Sequence, residues 1–531
     1  MTEEQAPEEY RQPTQRSRWV ISAIILLAAA ARLYRIGEYS LWLDEVDTLY
    51  AGLHQIYFHP PLFLFATVAW SPLGINDGML RLLPVLTGVL AVALIWRLTS
   101  RIAGRQAGIY AALLLALSPP AVHYSRELRM YVAMIALTLL SWSSLLSYIG
   151  SGRRGALAGA VLFMAALLYT HNYGVFVIAG LALSVTVLPP FRQSAKRALL
   201  AMTLTGVIYL PFFLSVVLFF STRVFKAHYW AASVSWRSVY DTLLFLAGSY
   251  EPPMVHRKFL LLATLGLALW GVIRCPRREL RIVGLFGTAV PISLAIGLSL
   301  ALPTSIFVSR YVSFAIGPLL VCAGAGLAAI SARSRRLLLA GGVAALQFWA
   351  LTYQYTNTFP EGPTLAIRPR KEFRQSAAYV AQRFRDGDTV AYTCESGALP
   401  AWYYLTYRNG LPTGHLVDLG GEYHARLSDK YNLDETVKQY PFIFPVPIDQ
   451  ALDGYKRVWL YATQWNLEGA GNDFYSKHRR AVIGWMKARY TLLEQRPFYG
   501  VDVYLFDIEQ AAANPPSLTT GVSSANQQPP L

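Results

Sequence analysis

Long hydrophobic runs alternate with short polar connections over the first two thirds of the chain. About eleven of these runs approach the roughly 20 residues that an α-helix needs to cross a bilayer. They are 19–36, 79–98, 104–118, 131–149, 156–169, 173–188, 198–220, 259–273, 282–300, 312–330 and 337–353. The pattern predicts a polytopic α-helical membrane protein with about eleven transmembrane helices.

Every second connection between these runs is basic, and this alternation predicts the orientation of the chain. The six clusters are Arg16 and Arg18; Arg97, Arg101 and Arg105; Arg153 and Arg154; Arg192, Lys196 and Arg197; Arg274, Arg277, Arg278 and Arg281; and Arg333, Arg335 and Arg336. The positive-inside rule makes them cytoplasmic. Residues 1–18 are therefore expected to be a cytoplasmic tail before an uncleaved first span, and an odd number of spans places the chain beyond residue 353 outside.

The composition changes after the last hydrophobic run and becomes that of a soluble domain. We expect a transmembrane domain over 19–357, with external loops at 37–78, 119–130, 221–258 and 301–311. Residues 358–510 are expected to form an extracytoplasmic α/β domain, and the Pro-, Ser- and Asn-rich residues 511–531 a disordered tail. The predicted elements of this domain are helices over 371–385 and 477–489 and strands over 389–393, 457–462 and 501–506.

Composition and charge narrow the class of protein. Of the 531 residues, 54% are hydrophobic and 15% are charged, and the mean hydropathy is +0.34, which is too apolar for an ordinary soluble protein. The net charge of +16 does not indicate nucleic-acid binding, since the basic residues lie between hydrophobic runs rather than on one soluble face. Cys275, Cys322 and Cys394 are too far apart for a CxxC site.

The first external loop carries three acids in an apolar and aromatic segment: Asp44, Glu45 and Asp47. The helical spacing of its apolar residues predicts a helix along the membrane interface, from the positions Trp42, Val46, Leu49 and Leu53. On such a helix the acids either solvate one face or point into a cavity, and the sequence leaves both readings open.

Basic residues in other external loops run against the positive-inside bias and therefore need a partner. The second loop contains Arg126, Glu127 and Arg129, and Arg310 precedes Tyr311 at the start of a span. Guanidinium groups match phosphate oxygens in two-pronged contacts, although Glu127 could instead pair locally with an arginine. The loop after residue 220 repeats this pattern with Arg223, Lys226 and His228, whereas His59 and His171 are more often structural, and Tyr131 is a further candidate.

These groups fit the transfer of a sugar whose leaving group is a phosphate. That reaction needs a carboxylate to take the acceptor proton, cations to stabilise the departing phosphate, and a dry site. Because nucleotide sugars are cytoplasmic, an enzyme facing outward would need a donor that has crossed the bilayer on a lipid. A polyprenyl-phosphate sugar is such a donor.

Four motifs in this order carry a family resemblance: LWLDE at 41–45, HPPL at 59–62, SRELRMY at 125–131 and SRY at 309–311. They resemble the GT-C membrane glycosyltransferases, in particular the bacterial relatives of protein O-mannosyltransferases and aminoarabinose transferases. The resemblance implies GT-C architecture and an inverting transfer on the non-cytoplasmic face. Two departures are that His59 stands where aminoarabinose transferases tend to have lysine, and that no large lumenal domain is inserted between spans.

The resemblance also implies residue roles. The catalytic acids would be Asp44, the general base, and Glu45. The phosphate-binding residues would be Arg126, Arg129 and Arg310. A divalent metal between Asp44 and Glu127 is an optional cofactor, and His59, Glu127, Tyr131, His171 and Tyr311 are further site candidates.

Three function classes are compatible with these sequence features. The first is a glycosyltransferase whose partners are a polyprenyl-phosphate sugar, membrane lipids and an acceptor glycan, lipid or protein, with no nucleic acid. The alternative is a transporter or flippase of a lipid-linked sugar, although transporters usually place their polar site at mid-membrane on paired repeats. A non-catalytic assembly subunit is a third reading, which leaves the charged external loops unexplained.

Overall fold

A computed structural model describes the chain over residues 15–55, 60–185, 191–223, 233–248, 254–303, 305–356, 370–425, 440–464 and 474–509. The chain divides into two compact units. The membrane unit comprises Met1–Arg370 with Asp429–Asn432, and the C-terminal unit comprises Lys371–Ser428 with Leu433–Leu531.

Helices build the membrane unit over its described residues. They are α1 (Gln15–Leu33), α2 (Leu43–Leu53), α3 (Leu62–Trp70), α4 (Asp77–Ala103), α5 (Arg105–Leu117), α6 (Pro119–Ser125), α7 (Tyr131–Ser151), α8 (Arg154–Leu168), α9 (Gly174–Ser184), α10 (Phe191–Arg223), α11 (Trp236–Leu246), α12 (Met254–Arg274), α13 (Arg278–Gly284), α14 (Val290–Ala301), α15 (Ile316–Ala328) and α16 (Arg333–Thr356). A π-helical turn, Leu285–Ala289, joins α13 to α14, and a 3₁₀ turn, Ser309–Ala315, leads into α15.

Among the described residues, seven helical stretches are long and apolar enough to cross a membrane, and the bent pair α5 and α6 would make an eighth. Each of these coincides with one of the predicted spans. The other three predicted spans coincide with α1, α8 and α9, of which α8 and α9 are apolar but shorter. An integral membrane protein is therefore confirmed, while the count of about eleven spans stays a prediction.

Two prolines break the span between α5 and α6, which meet at a bend of 59°. Pro119 and Pro120 have no amide N–H, so the carbonyls of Leu115 and Ala116 lose the donors that a continuous helix would supply. Arg32 of α1 replaces both donors, through Nη2 to Leu115 O at 3.2 Å and Nη1 to Ala116 O at 2.9 Å. This buried guanidinium therefore stabilises the break that leads into the second external loop.

The stretch that contains α15 lies at the centre of the membrane unit, since 94% of it is buried. It packs closely on α12 because both helices present glycine at the contact: the Cα of Gly326 faces the carbonyl of Leu267, and Gly271 faces the carbonyl of Cys322. Small residues allow such close backbone approach in membranes. The 3₁₀ turn that carries Arg310 and Tyr311 leads directly into this buried helix.

The C-terminal unit is an α/β fold around one six-stranded sheet with the strand order β3-β2-β1-β4-β6-β5. Strands β3, β2, β1 and β4 are parallel, whereas β6 and β5 continue the sheet antiparallel. The strands are β1 (Asp388–Tyr392), β2 (His415–Asp418), β3 (Pro445–Pro447), β4 (Arg457–Thr463), β5 (Thr491–Phe498) and β6 (Val501–Asp507), and the helices are α17 (Phe373–Ala381), α18 (Glu395–Ala401), α19 (Ile448–Leu452) and α20 (Phe474–Arg489). The predicted helices and strands of this region lie at these positions.

Candidate active site

Helix α2 presents the two predicted catalytic acids. It begins directly after Trp42, which is extended (φ −108°, ψ 177°), so Asp44 and Glu45 both lie in its first turn, where the helix dipole favours acids. Neighbouring residues of an α-helix point about 100° apart, so the two carboxylates have different surroundings. Glu45 is fully buried, whereas the Asp44 side chain is 20% exposed.

Two arginines and two backbone amides surround the Glu45 carboxylate. Arg81 of α4 donates through Nε to Oε1 and through Nη2 to Oε2, each at 2.7 Å. The amide of Leu128 donates to Oε1 at 2.9 Å, and that of Trp42 to Oε2 at 3.3 Å. Arg370 Nη1 lies 3.2 Å from Oε2. These contacts suit an anchor that joins the first external loop to α4 and to the second loop.

Asp44 lies beside two of the arginines that the sequence predicts. Its Oδ2 is 3.5 Å from Arg310 Nη1, and its backbone carbonyl accepts a hydrogen bond from Arg129 Nη1 at 3.0 Å. The same Nη1 donates to Thr48 Oγ1 at 2.9 Å, and Thr48 donates to the Asp44 carbonyl at 2.8 Å. The structure thus brings Asp44, Arg129 and Arg310 together.

Glu127 lies in a second group of charges. His123 Nε2 is 3.0 Å from Oε2 and Arg370 Nη2 is 3.6 Å from it, while Trp42 Nε1 donates to Oε1 at 2.9 Å. Burial alone would raise the pKa of Glu127, but the hydrogen bond from His123 and the charges of Arg370, His123 and Arg310 lower it to about 2. Glu127 is therefore a buried, ionised carboxylate.

Arg129 Nε and the Tyr131 hydroxyl are among the buried donors near Asp44 that have no hydrogen-bond partner in the described residues. Burial alone would lower the pKa of Arg129, but Tyr131, Asp44 and Asp47 raise it above its ordinary value, so Arg129 stays a cation. Buried polar groups in native proteins are nearly always satisfied. A guanidinium N–H and a hydroxyl left in this state suit an anionic ligand with several acceptor oxygens.

Aromatic rings adjoin these donors. Tyr131 stacks on Tyr311 with centroids 6.2 Å apart, and His171 lies 4.9 Å from the Tyr311 ring. The amide of Tyr173 donates to His171 Nδ1 at 3.0 Å, so in the neutral imidazole the proton is on Nε2. Three predicted candidates, Tyr131, His171 and Tyr311, therefore share one cluster.

Arg126 takes a different direction from Arg129. Its Nη2 donates to the carbonyl of Tyr34 at 2.9 Å, just beyond α1, and its guanidinium carbon lies 4.9 Å from the ring centroid of Tyr355 in α16. Burial lowers the pKa of Arg126 to about 10. These contacts join α1 to α16, and none of the Arg126 contacts within the described residues involves Asp44.

Other predicted candidates are not placed by the structure. His59, Lys226 and His228 lie outside the described residues, and so does the side chain of Arg223. Within the described parts of the chain, no group of three or more His, Cys, Asp or Glu side chains is arranged to hold a metal ion. Asp44 and Glu127 each face an arginine, and a metal between them stays a prediction.

Sequence reasoning missed four residues of this site: Trp42 as a donor, Arg81, His123 and Arg370. Arg81 lies at the predicted external end of a span, so the argument applied to Arg126 would have found it. His123 precedes Glu127 by four residues, the spacing of a helical pair. Arg370 gave no local signal, since it lies in a proline-containing segment well separated from the external loops.

A family comparison matches residues 58–219 to the model of the family described as dolichyl-phosphate-mannose-protein mannosyltransferase. The matched stretch includes the second external loop but begins after Asp44. No curated protein matches the sequence.

Solved structures share the fold. ArnT from Cupriavidus metallidurans in the apo state has a TM-score of 0.63 and 15% identity, over 93% of this chain and 98% of that one. The same protein bound to undecaprenyl phosphate has a TM-score of 0.62 and 14% identity, over 93% of this chain and 98% of that one. A third match is the archaeal oligosaccharyltransferase AglB from Archaeoglobus fulgidus in complex with an inhibitory peptide and a dolichol-phosphate. It has a TM-score of 0.51 and 11% identity, over 92% of this chain and 74% of that one. The fold that the GT-C resemblance implies is therefore confirmed, and the transporter alternative finds no support in these matches.

Proposed function

We propose that this chain, a membrane glycosyltransferase with the GT-C fold, moves a sugar from a polyprenyl-phosphate carrier to an acceptor hydroxyl, and that Asp44 is the general base. The observation that carries the proposal is the position of Asp44, a partly exposed acid 3.5 Å from Arg310 and held by Arg129. The similar ArnT structure contains undecaprenyl phosphate, and the AglB structure contains a dolichol-phosphate. A lipid-linked phosphate is therefore the donor class that we assign.

The proposed reaction is a single displacement with inversion. The acceptor oxygen attacks the anomeric carbon and gives its proton to the Asp44 carboxylate. The bond between that carbon and the phosphate oxygen breaks, and the electron pair leaves with the lipid phosphate. Arg310 and Arg129 stabilise the negative charge that develops on the leaving group.

The phosphate has a matching set of donors. Arg129 Nε and the Tyr131 hydroxyl are buried and have no partner among the described residues, and phosphate oxygens would satisfy both. Fixed donors in a dry site cost no reorganisation when charge develops, which is why such contacts lower the barrier. We assign the phosphate to Arg129 rather than to Arg126, because Arg129 contacts Asp44 whereas Arg126 contacts Tyr34 and Tyr355.

We place the reaction on the non-cytoplasmic face, with the N-terminus cytoplasmic and the C-terminal unit extracytoplasmic. The support is the position of the six basic clusters, which the positive-inside rule assigns to the cytoplasm. The acceptor is a hydroxyl of a lipid, a glycan or a protein.

The test is transfer of radiolabelled sugar from a panel of polyprenyl-phosphate sugars by the purified chain in nanodiscs, with and without a chelator. Asp44→Asn should lower the rate by about 10² to 10⁴, the range for loss of a general base. Product with the donor's anomeric configuration would contradict the single displacement. Bilayer translocation of a donor without any turnover would establish the transporter instead, and loss of activity in chelator that Mg²⁺ or Mn²⁺ restores would establish the predicted metal.

A further inference from the structure

Arg370 is the last residue of the membrane unit and lies beyond its final helix, α16. One guanidinium group contacts two acids from different loops: Nη1 is 3.2 Å from Glu45 Oε2, and Nη2 is 3.6 Å from Glu127 Oε2. Its central carbon is also 5.6 Å from the ring centroid of Trp42. Arg370 therefore joins the first external loop to the second.

The charges around Arg370 balance when it is present. Glu45 and Glu127 contribute two negative charges in a buried region, Arg81 and Arg370 contribute two positive ones, and His123 is a further partner of Glu127 at 3.0 Å. Arg81 binds both carboxylate oxygens of Glu45 and also the backbone carbonyls of the first loop. Removal of Arg370 would leave the pair of acids with one arginine in direct contact, in a place where an uncompensated charge is costly.

The two acids that Arg370 bridges each adjoin a residue of the proposed reaction. Asp44, the proposed base, directly precedes Glu45, and Arg129, a proposed phosphate ligand, follows Glu127 by two residues. By binding Glu45 and Glu127 together, Arg370 therefore helps to set the separation between Asp44 and Arg129. Misplacement by about 1 Å in such an arrangement costs on the order of 10² in rate.

We propose that Arg370 is a positioning residue for glycosyl transfer, which bridges Glu45 and Glu127 and so fixes Asp44 relative to Arg129. The proposal rests on the proposed function and adds to it a contribution from the chain beyond the last span. Arginine suits the role because its planar fork carries two terminal nitrogens that reach two carboxylates, whereas lysine carries a single nitrogen.

The activity test compares Arg370→Gln and Arg370→Lys with wild type in the full-length chain in nanodiscs. Arg370→Gln should lower kcat by about 10² and change the KM for the lipid donor much less, because the proposed phosphate ligands remain. Arg370→Lys should recover part of kcat through its charge. The matched control is Arg383→Gln, which removes an arginine that lies against Tyr379 in the C-terminal unit. Wild-type kcat in Arg370→Gln would overturn the proposal.

A double-mutant cycle in melting temperature separates this proposal from the proposed function, since it needs no activity. Arg370→Gln and Glu127→Gln should each lower the melting temperature, and the double variant should lose less than the sum of the two. Additive losses would overturn the bridge even in an active enzyme. A coupled cycle in a protein that transfers no sugar would retain the bridge and refute the transferase, in which case Arg370 has no positioning role in transfer.

Discussion

Replacement of Glu45 by glutamine tests whether Glu45 has a structural role or a catalytic one. The change keeps the shape of the side chain but removes the negative charge that faces Arg81 at 2.7 Å and Arg370 at 3.2 Å. Breaking a buried ion pair by removing one partner costs about 3–5 kcal/mol, because the other charge stays buried without compensation. We expect the free energy of unfolding to fall by this amount, which is measured as a lower melting temperature of the purified protein in nanodiscs.

Asp44→Asn should affect the transfer rate more than the melting temperature. Asp44 is partly exposed, and its carboxylate makes one arginine contact at 3.5 Å rather than two at 2.7 Å. Its replacement should therefore change the melting temperature less than Glu45→Gln does, while the transfer rate falls by about 10² to 10⁴. Glu38→Gln is a matched control in the same external segment, since Glu38 pairs with Arg35 at an exposed site, where such pairs contribute about 0–1 kcal/mol.

The refuting result is specific. A Glu45→Gln protein with the melting temperature of wild type and a rate loss as large as that of Asp44→Asn would show that Glu45 takes part in the chemistry. The anchor assignment would then be wrong, and both acids would have the catalytic role that the family resemblance implies.

Three further changes test other parts of the membrane unit. Arg126→Gln should lower the melting temperature and leave the donor KM near wild type, because its guanidinium lies against Tyr355; a large rise in donor KM would support the phosphate role predicted from sequence. Arg32→Met should leave two carbonyls at the α5–α6 break without donors. Each should lower the free energy of unfolding by about 1–3 kcal/mol, and an unchanged melting temperature would contradict this. Glu127 has a folded pKa near 2 against an ordinary value of 4.5, so its contribution to stability is present above pH 4.5 and is lost as pH falls toward 2. Melting temperatures measured across that window should fall less steeply in Glu127→Gln than in wild type, and identical slopes would refute the shift.

The helices of the membrane unit could be predicted because their signal is local. A run of apolar residues near 20 long identifies a helix without knowledge of its neighbours, and α4, α7 and α16 coincide with predicted spans. The external acids and arginines were predictable for a related reason, since charge in an apolar loop or on the wrong face of the membrane stands out in the sequence. The type of chemistry could therefore be proposed before the geometry was known.

The allocation of roles could not be predicted, because it depends on tertiary partners. Asp44 and Glu45 are adjacent in the sequence, yet one turns toward Arg310 and the other toward Arg81. Both acids belong to one motif, and the difference between their partners arises from the helical rotation between them and from the arginine that α4 places opposite Glu45.

Arg126 and Arg129 also have different partners, although they belong to one motif. The chain turns between them, so Arg129 Nη1 reaches the carbonyl of Asp44 at 3.0 Å, while Arg126 reaches back to the end of α1 at 2.9 Å. Membership of one motif therefore does not determine where a side chain points or which residue it contacts, and a role assigned to one arginine of the motif does not extend to the next. Both arginines retain a buried Nε–H without a partner in the described residues, so position decides between them: Arg129 lies beside Asp44 and Arg126 lies beside Tyr34 and Tyr355.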